Sequence, residues 1–494
     1  MTEHRTIRRV SRLAVLVGLA MALALALPGS TEAISVSEVA KFGAPDIPSF
    51  HQFGQSVSIS GETAIAGAPL EDSAGDKAGA AYVFVRDQGG ANNWGPVTKL
   101  TSPDTDEFDQ FGYSVAVSGD TAVVAAPNDD DGAGLGGAAY IFQRDEGGPD
   151  NWGQVAKLAA TDPLANAWFG RDVDISGDTA IVADAFEFAA GMYAGAVFVF
   201  QRDQGGADNW GQVAKLTTSD IPTVVEFGED VAISGDIVVA GALGDSEGGS
   251  FAGAAYVFQR DHGGTDNWDE VIKLTASDAQ AQDVLGKGVA VSGDTVLVGA
   301  AGEDEAGNNA GAAYLFQRNE GGTDNWGEVT KLTASDAEEG DLFGSRLAIS
   351  GSHAIVAASS SGVVYAFQRD EGGADNWGEV TKLVASDGGA QFGRSAAISA
   401  NTAVVGARSA GYVFDLLELK PTLTPTPTVT PTPTKTPGPV GGIALDSDEL
   451  RALPLQTAGP ERAPWGVAFA FVTAACLAAL GSAYYARRRA TWVA

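Results

Sequence analysis

One dipeptide returns along this chain at a fixed step. Phe53-Gly54, Phe111-Gly112, Phe169-Gly170, Phe227-Gly228, Leu285-Gly286 and Phe343-Gly344 lie 58 residues apart, and Phe392-Gly393 follows after 49. Trp94, Trp152, Trp210, Trp268 and Trp326 keep the same step, and Trp377 closes a shortened sixth unit. Such self-similarity confines the chain to one module stacked many times, a solenoid or a propeller.

The unit that starts at Phe111 decides between them. It holds four strand-like runs, SVAVS, TAVVAAP, GAAYIFQRD and QVAKLAATD. Only Gly119-Asp120 separates the first two, a pair suited to a tight primed hairpin. The longer EGGPDNWG separates the last two, with glycines for positive φ and turn-forming Asp and Asn. No unit shows a 3.6-residue period, which excludes helical solenoids. The 64 glycines and 19% charged residues likewise suit short strands and tight turns. Four antiparallel strands per unit predict an all-β, seven-bladed β-propeller over residues 34–420.

The seventh unit ends without a Trp or a V-x-K-L strand. Its missing strand stands at the other end of the chain, where Val39-Ala40-Lys41-Phe42 matches Val155-Ala156-Lys157-Leu158. Lys41 precedes Phe53 by twelve residues, as Lys157 precedes Phe169. The N-terminal strand is therefore expected to complete the last blade and remove two open sheet edges.

These units resemble the FG-GAP repeats of integrin alpha subunits and their bacterial relatives. The likeness rests on FGYSVAVSG, TAVVAAP and GGAAYIF in the second unit and FGQSVSIS, TAIAGAP and AGAAYVF in the first. Literal Gly-Ala-Pro stands only at Gly67-Ala68-Pro69, with Ala125-Ala126-Pro127 and Gly241-Ala242-Leu243 as altered copies. The resemblance implies a propeller used for adhesion or ligand binding. Blades of that family that bind calcium carry an Asp-rich loop between the first two strands; here two residues such as Gly119-Asp120 stand there. Two residues cannot cage calcium, so no cofactor or metal site is carried over.

Residues common to every unit read as packing, so function is sought where the units differ. The second residue after each Phe varies through Gln55, Tyr113, Arg171, Glu229, Lys287, Ser345 and Arg394, on the strand expected to line the channel. From this ring Tyr113, Arg171, Lys287 and Arg394 are candidate ligand contacts. The loops after the second and fourth strands share one face, the expected binding face. There Phe186, Phe188, Met192 and Tyr193 offer an apolar contact, with a loop folded on itself as the alternative. Asn128-Asp129-Asp130-Asp131-Gly132 could draw a cation, but its spacing is that of a solvated turn.

Catalysis is not expected. His51, His262 and His353 fall on separate units, and the Asp145-x-Gly147 turn has its Trp two residues too late for a sialidase Asp-box. The net charge of −33 argues against nucleic acid. The sole cysteine, Cys476, sits in the C-terminal apolar run, so the propeller holds together by packing.

The chain ends carry addresses. Arg5, Arg8, Arg9 and Arg12 precede an apolar stretch, and a small-residue site ends at Ala33, which reads as a signal peptide over 1–33. Pro at nearly every second position over 421–440 predicts a disordered, extended Thr/Pro stalk of roughly 60 Å. A juxtamembrane linker follows over 441–464, with an LP-x-T-G-like stretch at 453–459. The uncharged run 465–485 fits one transmembrane helix, and Arg487-Arg488-Arg489 in the tail 486–494 places that end in the cytoplasm. The expected protein is a monomeric, single-pass cell-surface adhesion or ligand-binding protein for a protein or glycan. A structural envelope component and a propeller hydrolase are the alternatives.

Overall fold

Each unit folds as read, into four antiparallel strands hydrogen-bonded in chain order. The computed structural model describes residues 36–46, 51–130, 136–162, 168–189, 192–219 and 226–419. The regions read as signal peptide, stalk, linker, membrane helix and basic tail lie outside them. Among the described residues no helix is long and apolar enough to cross a membrane.

Blade 2 represents the seven. Its strands run Val115–Ser118, Thr121–Ala126, Ala138–Gln143 and Gly153–Leu158, from the channel outward. Ser118 faces Thr121 across the two-residue turn, where Gly119 takes a φ of 58° and Asp120 does not turn positive. The second strand is buried throughout because neighbouring blades cover both faces of the sheet. That is why its sequence is continuously apolar.

The cores lie between blades. Ile65, Val83 and Leu100 of blade 1 pack with Phe111, Val115, Val124 and Tyr140 of blade 2 in one cluster, and the same arrangement recurs round the ring. Phe111 is the wedge, fully buried and edge-on to Phe142 at 5.9 Å. The two glycines of the repeat meet back to back. A Cβ on Gly67 would lie 1.9 Å from the Gly112 carbonyl oxygen of the next blade, so neither can carry a side chain at this approach. The repeated Trp beside each outer strand is buried, as expected. Trp152 stacks under Arg144, whose guanidinium is 5.2 Å from the ring and reaches Thr63 of the preceding blade at 2.6 Å.

The innermost strands would otherwise show a row of free N–H groups. Side chains of the preceding blade accept from them: Ser56 from Val115 at 3.1 Å, Ser58 from Val117 at 3.1 Å and Ser60 from Gly119 at 3.0 Å. The last of these contacts recurs from blade to blade until Ser399 accepts from Gly61, which closes the circle.

A second lattice joins the outer strands. The Lys of V-x-K-L lies over the Tyr ring of its own blade and pairs with an Asp of the connection entering that blade. Lys157 sits 5.2 Å from the Tyr140 ring and 2.9 Å from both Asp104 and the buried Asp129. Lys99 and Lys331 repeat this with Asp46 and Asp278, and Lys215 does so with Asp162 over the Phe198 ring. Lys41 does the same with Asp387 and Tyr412 in blade 7. The terminal strand Glu38–Phe42 pairs antiparallel with Ala410–Asp415, Lys41 opposite Tyr412 and Phe42 opposite Gly411. The ring is closed by its own two ends.

Candidate functional site

Function read from differences between blades points to the channel mouth. The variable residue after each Phe-Gly stands where the chain enters its inner strand. The loops that follow the second and fourth strands open onto the same end. Channel ring and loop face therefore meet at one site. Lys287, Arg346 and Arg394 border a cavity there with Ala301, Gly302 and Ser359 from loops after second strands.

The two sides of the mouth differ. On one, Arg171 holds Glu229 with both carboxylate oxygens, Nε at 3.1 Å and Nη2 at 2.7 Å, and its Nη1 donates to the Tyr113 hydroxyl. Lys287 Nζ adds a bond to Glu229 at 2.8 Å. Burial alone would raise the Glu229 carboxyl, but the bonds and charge of Arg171, with those of Lys287, hold it down at about 2. Tyr113 and Arg171 are thus engaged within the protein.

The other side is unbalanced. Arg394 donates to the side-chain oxygens of Gln55, of Gln391 at 3.3 Å and of Gln52 at 3.4 Å, while Arg346 donates to the Ser345 carbonyl at 2.7 Å. No ion pair of the described residues involves Arg346, Arg394 or Arg408. The Arg394 guanidinium is lowered from its ordinary range by burial and then by repulsion from Arg346 and Arg408. The cavity beside it measures 550 Å³ and presents the amides of Gln55, Gln282, Asn309 and Gln391. Among the described residues no Asp or Glu lines it, in a chain of net charge −33. The sequence reading missed Arg346, which stands one place beyond the ring it considered. Six units hold Ser56, Ser114, Asp172, Asp230, Gly288 and Ser395 at that place, so an arginine there was a visible signal.

Deeper in the channel the sign reverses. Asp172, Asp174 and Asp230 replace the serines that lace the inner strands, accepting from Val231 at 2.9 Å, Ile233 at 2.8 Å and Val289 at 2.7 Å. They touch the channel space yet lie deep in the molecule. Burial pushes Asp174 up to about 7, and raises Asp172 and Asp230 as well. The unfolded carboxyl titrates near 3.9. Between pH 4 and 7 the fold therefore holds protons that the unfolded chain has released, and stability falls as pH rises. We expect a higher melting temperature at pH 5 than at pH 7.5, with a slope that Asp174→Asn reduces by about 1 kcal/mol over that interval. A melting temperature that rises from pH 5 to 7.5 contradicts these buried carboxyls.

The remaining candidates separate. Phe186 is half-buried, edge-on to Trp168 at 5.2 Å. Phe188 pairs with Tyr193 across a two-residue ladder, Phe188–Ala189 with Met192–Tyr193; their side chains lie outside the described residues. Asp129 is no cation loop but a buried partner of Tyr140 and Lys157. Its neighbours Asp131 and Gly132 are outside the described residues. Asp278, Glu303 and Glu305 gather their oxygens within 4.8 Å of one another. That cluster already holds a cation, the Lys331 ammonium, at 2.7, 2.9 and 2.8 Å.

Comparison with known proteins agrees with this architecture. No curated protein matches the chain. The FG-GAP repeat family matches seven segments, 36–84, 94–142, 152–200, 210–258, 268–316, 326–373 and 377–412. Each segment begins with the outer strand of one blade and ends in the third strand of the next, so the first necessarily carries the strand that completes the last blade. By repeat, closure and blade number, this chain belongs to the FG-GAP repeat family and is a seven-bladed propeller like that of integrin alpha subunits.

Proposed function

We propose that this chain is a cell-surface ligand-binding protein of the adhesion type, and that it takes its ligand at the channel mouth. One observation carries the proposal: a strongly acidic chain keeps a cavity that, among the described residues, no carboxylate lines and that Lys287, Arg346 and Arg394 border. Arg346 and Arg394 stand outside every ion pair of the described residues, and cations so placed at a concave site favour a bound anion. The lining supplies many hydrogen-bond donors and, among the described residues, no histidine or carboxylate to serve as general base, which supports binding over turnover. The signal-like N-terminus, Thr/Pro segment and uncharged run 465–485 support display outside the cell on a single-pass anchor.

The test is a screen of the purified full chain against glycan and protein arrays, with and without a calcium chelator. Capture is expected in both conditions, and Arg394→Gln should weaken it at least tenfold. Capture that survives Arg394→Gln unchanged places the site elsewhere. No capture at all, with the fold intact, favours a structural envelope role.

A further inference from the structure

We infer that the mouth recognises a saccharide bearing a carboxylate, one acidic sugar seated between Arg346 and Arg394. The inference rests on the mouth being the recognition site and names the chemistry of its occupant.

The charge comes first. Arg346 and Arg394 stand at the inner-strand entries of neighbouring blades, lining one cavity; neither joins an ion pair of the described residues, and Arg346 feels Asp172 and Asp230 only from deeper in the channel. Arg408 adds a third positive charge from the exposed loop of blade 7. An anion here relieves their mutual repulsion, and a carboxylate matches the planar fork of arginine. The field is local. Net charge −33 on the whole chain repels an extended polyanion, so the negative group must be single and compact.

The rest of the lining selects the body that carries this charge. Gln55, Gln282, Asn309 and Gln391 offer amides that both donate and accept, as neighbouring sugar hydroxyls require. Val284 and Leu342 supply apolar surface on which one face of a sugar ring can lie. A peptide adding itself as a strand finds little to pair with along the channel wall of blades 2 to 5. The inner-strand N–H groups of blades 2 to 5 are taken up by Ser56, Ser58, Ser114, Asp172, Asp174 and Asp230. The volume of 550 Å³ lies within the ~300–1,000 Å³ range of small-ligand sites.

The experiment is isothermal titration of the purified full chain with a disaccharide ending in a hexuronic acid. Three further probes accompany it: the same disaccharide with its carboxyl reduced to an alcohol, inorganic sulfate, and an acidic tetrapeptide. The acidic disaccharide should bind at least tenfold more tightly than the other three, and more weakly as salt is raised. Arg346→Gln and Arg394→Gln should each lower its affinity at least tenfold at an unchanged melting temperature. Arg408→Gln, at an exposed position outside the packed interior, should lower it two- to threefold and keeps the test open if the others misfold.

Equal binding of the acidic and reduced disaccharides overturns the inference. So does sulfate or the peptide binding as tightly as the acidic sugar. If an array ligand is lost with Arg394→Gln but carries no acidic sugar, the mouth stands as the site and this inference falls alone. If the acidic disaccharide binds and none of the three substitutions weakens it, both fall.

Discussion

Replacing Phe42 by alanine should destabilise the propeller by about 4 kcal/mol, although the residue lies more than 360 positions from the strand it pairs with. Phe42 is 4% exposed and ends the strand that completes blade 7. Its ring lies 4.4 Å from Phe84 and edge-on to Phe53 at 6.3 Å, both in blade 1. It also covers Gly411, where a Cβ would sit 2.3 Å from the ring. One side chain thus fills the seam between the last blade and the first, and its loss leaves a cavity there. Val39, 44% exposed on the same strand, is the control, and Val39→Ala should change stability by about 0.5 kcal/mol or less. Deleting 34–50 should cost more than either, because the strand hydrogen bonds and the Lys41–Asp387 pair go with the ring. Denaturant unfolding of the three variants checks this. Equal, small losses for Phe42→Ala and Val39→Ala would mean that the seam does not hold the ring.

Closure was legible because it depends on a pattern local to one strand, V-x-K-F, and on its distance from the first Phe-Gly. The same holds for the four runs of each unit and for the buried Trp. What escaped the sequence reading depends on contacts between units. Lys99, Lys157, Lys215 and Lys331 each reach an Asp exactly one outer-strand connection back, 53 residues earlier. The constant spacing is printed in the sequence, but nothing in a single unit shows that Asp and Lys meet across a blade boundary. The carboxylates of the loop after the second strand are hidden in the same way. Asp129 stands in a stretch that reads as a solvated turn, yet it and its counterparts Glu71, Glu187, Asp245 and Glu303 are 7% exposed or less. Alternation rules register which face of a strand is apolar, and they carry no term for a polar side chain buried by its neighbour's lysine.

For the candidate site the division is similar. Lys287 and Arg394 were legible as variable residues on the inner strand. The consequence of Arg346 was not, since its importance lies in standing outside any ion pair at the mouth, a property of several blades together. Tyr113 and Arg171 were equally visible but are engaged, Arg171 by Glu229 and Tyr113 by Arg171. In a ring of repeats, variation marks the mouth, and the pairing of one variable residue with the next decides which of them remain available to a ligand.

The lysine lattice yields the last prediction. Lys331 sits among Asp278, Glu303 and Glu305, with Glu303 itself 2% exposed and its Oε2 without a hydrogen-bond partner. Burial opposes its charge, yet the bonds from Asp278, Glu305 and Glu303 outweigh that and raise the Lys331 ammonium above its ordinary range. Lys331→Ala leaves three carboxylates facing one another with no cation. Removing one partner of a buried pair costs about 3–5 kcal/mol, and the exposure of Asp278 and Glu305 places this case at about 3. Two conditions should recover the loss. Acid should do so by protonating the orphaned carboxyls, so the gap from wild type narrows from pH 7 towards pH 4. Millimolar calcium should do so by taking the lysine's place among oxygens already within 4.8 Å of one another. Wild type should gain little from calcium at this cluster, since the ammonium occupies its centre. Melting curves of both proteins with calcium and with chelator decide the matter. Lys331→Ala melting with wild type under every condition would show that the lysine is not the cation this blade depends on.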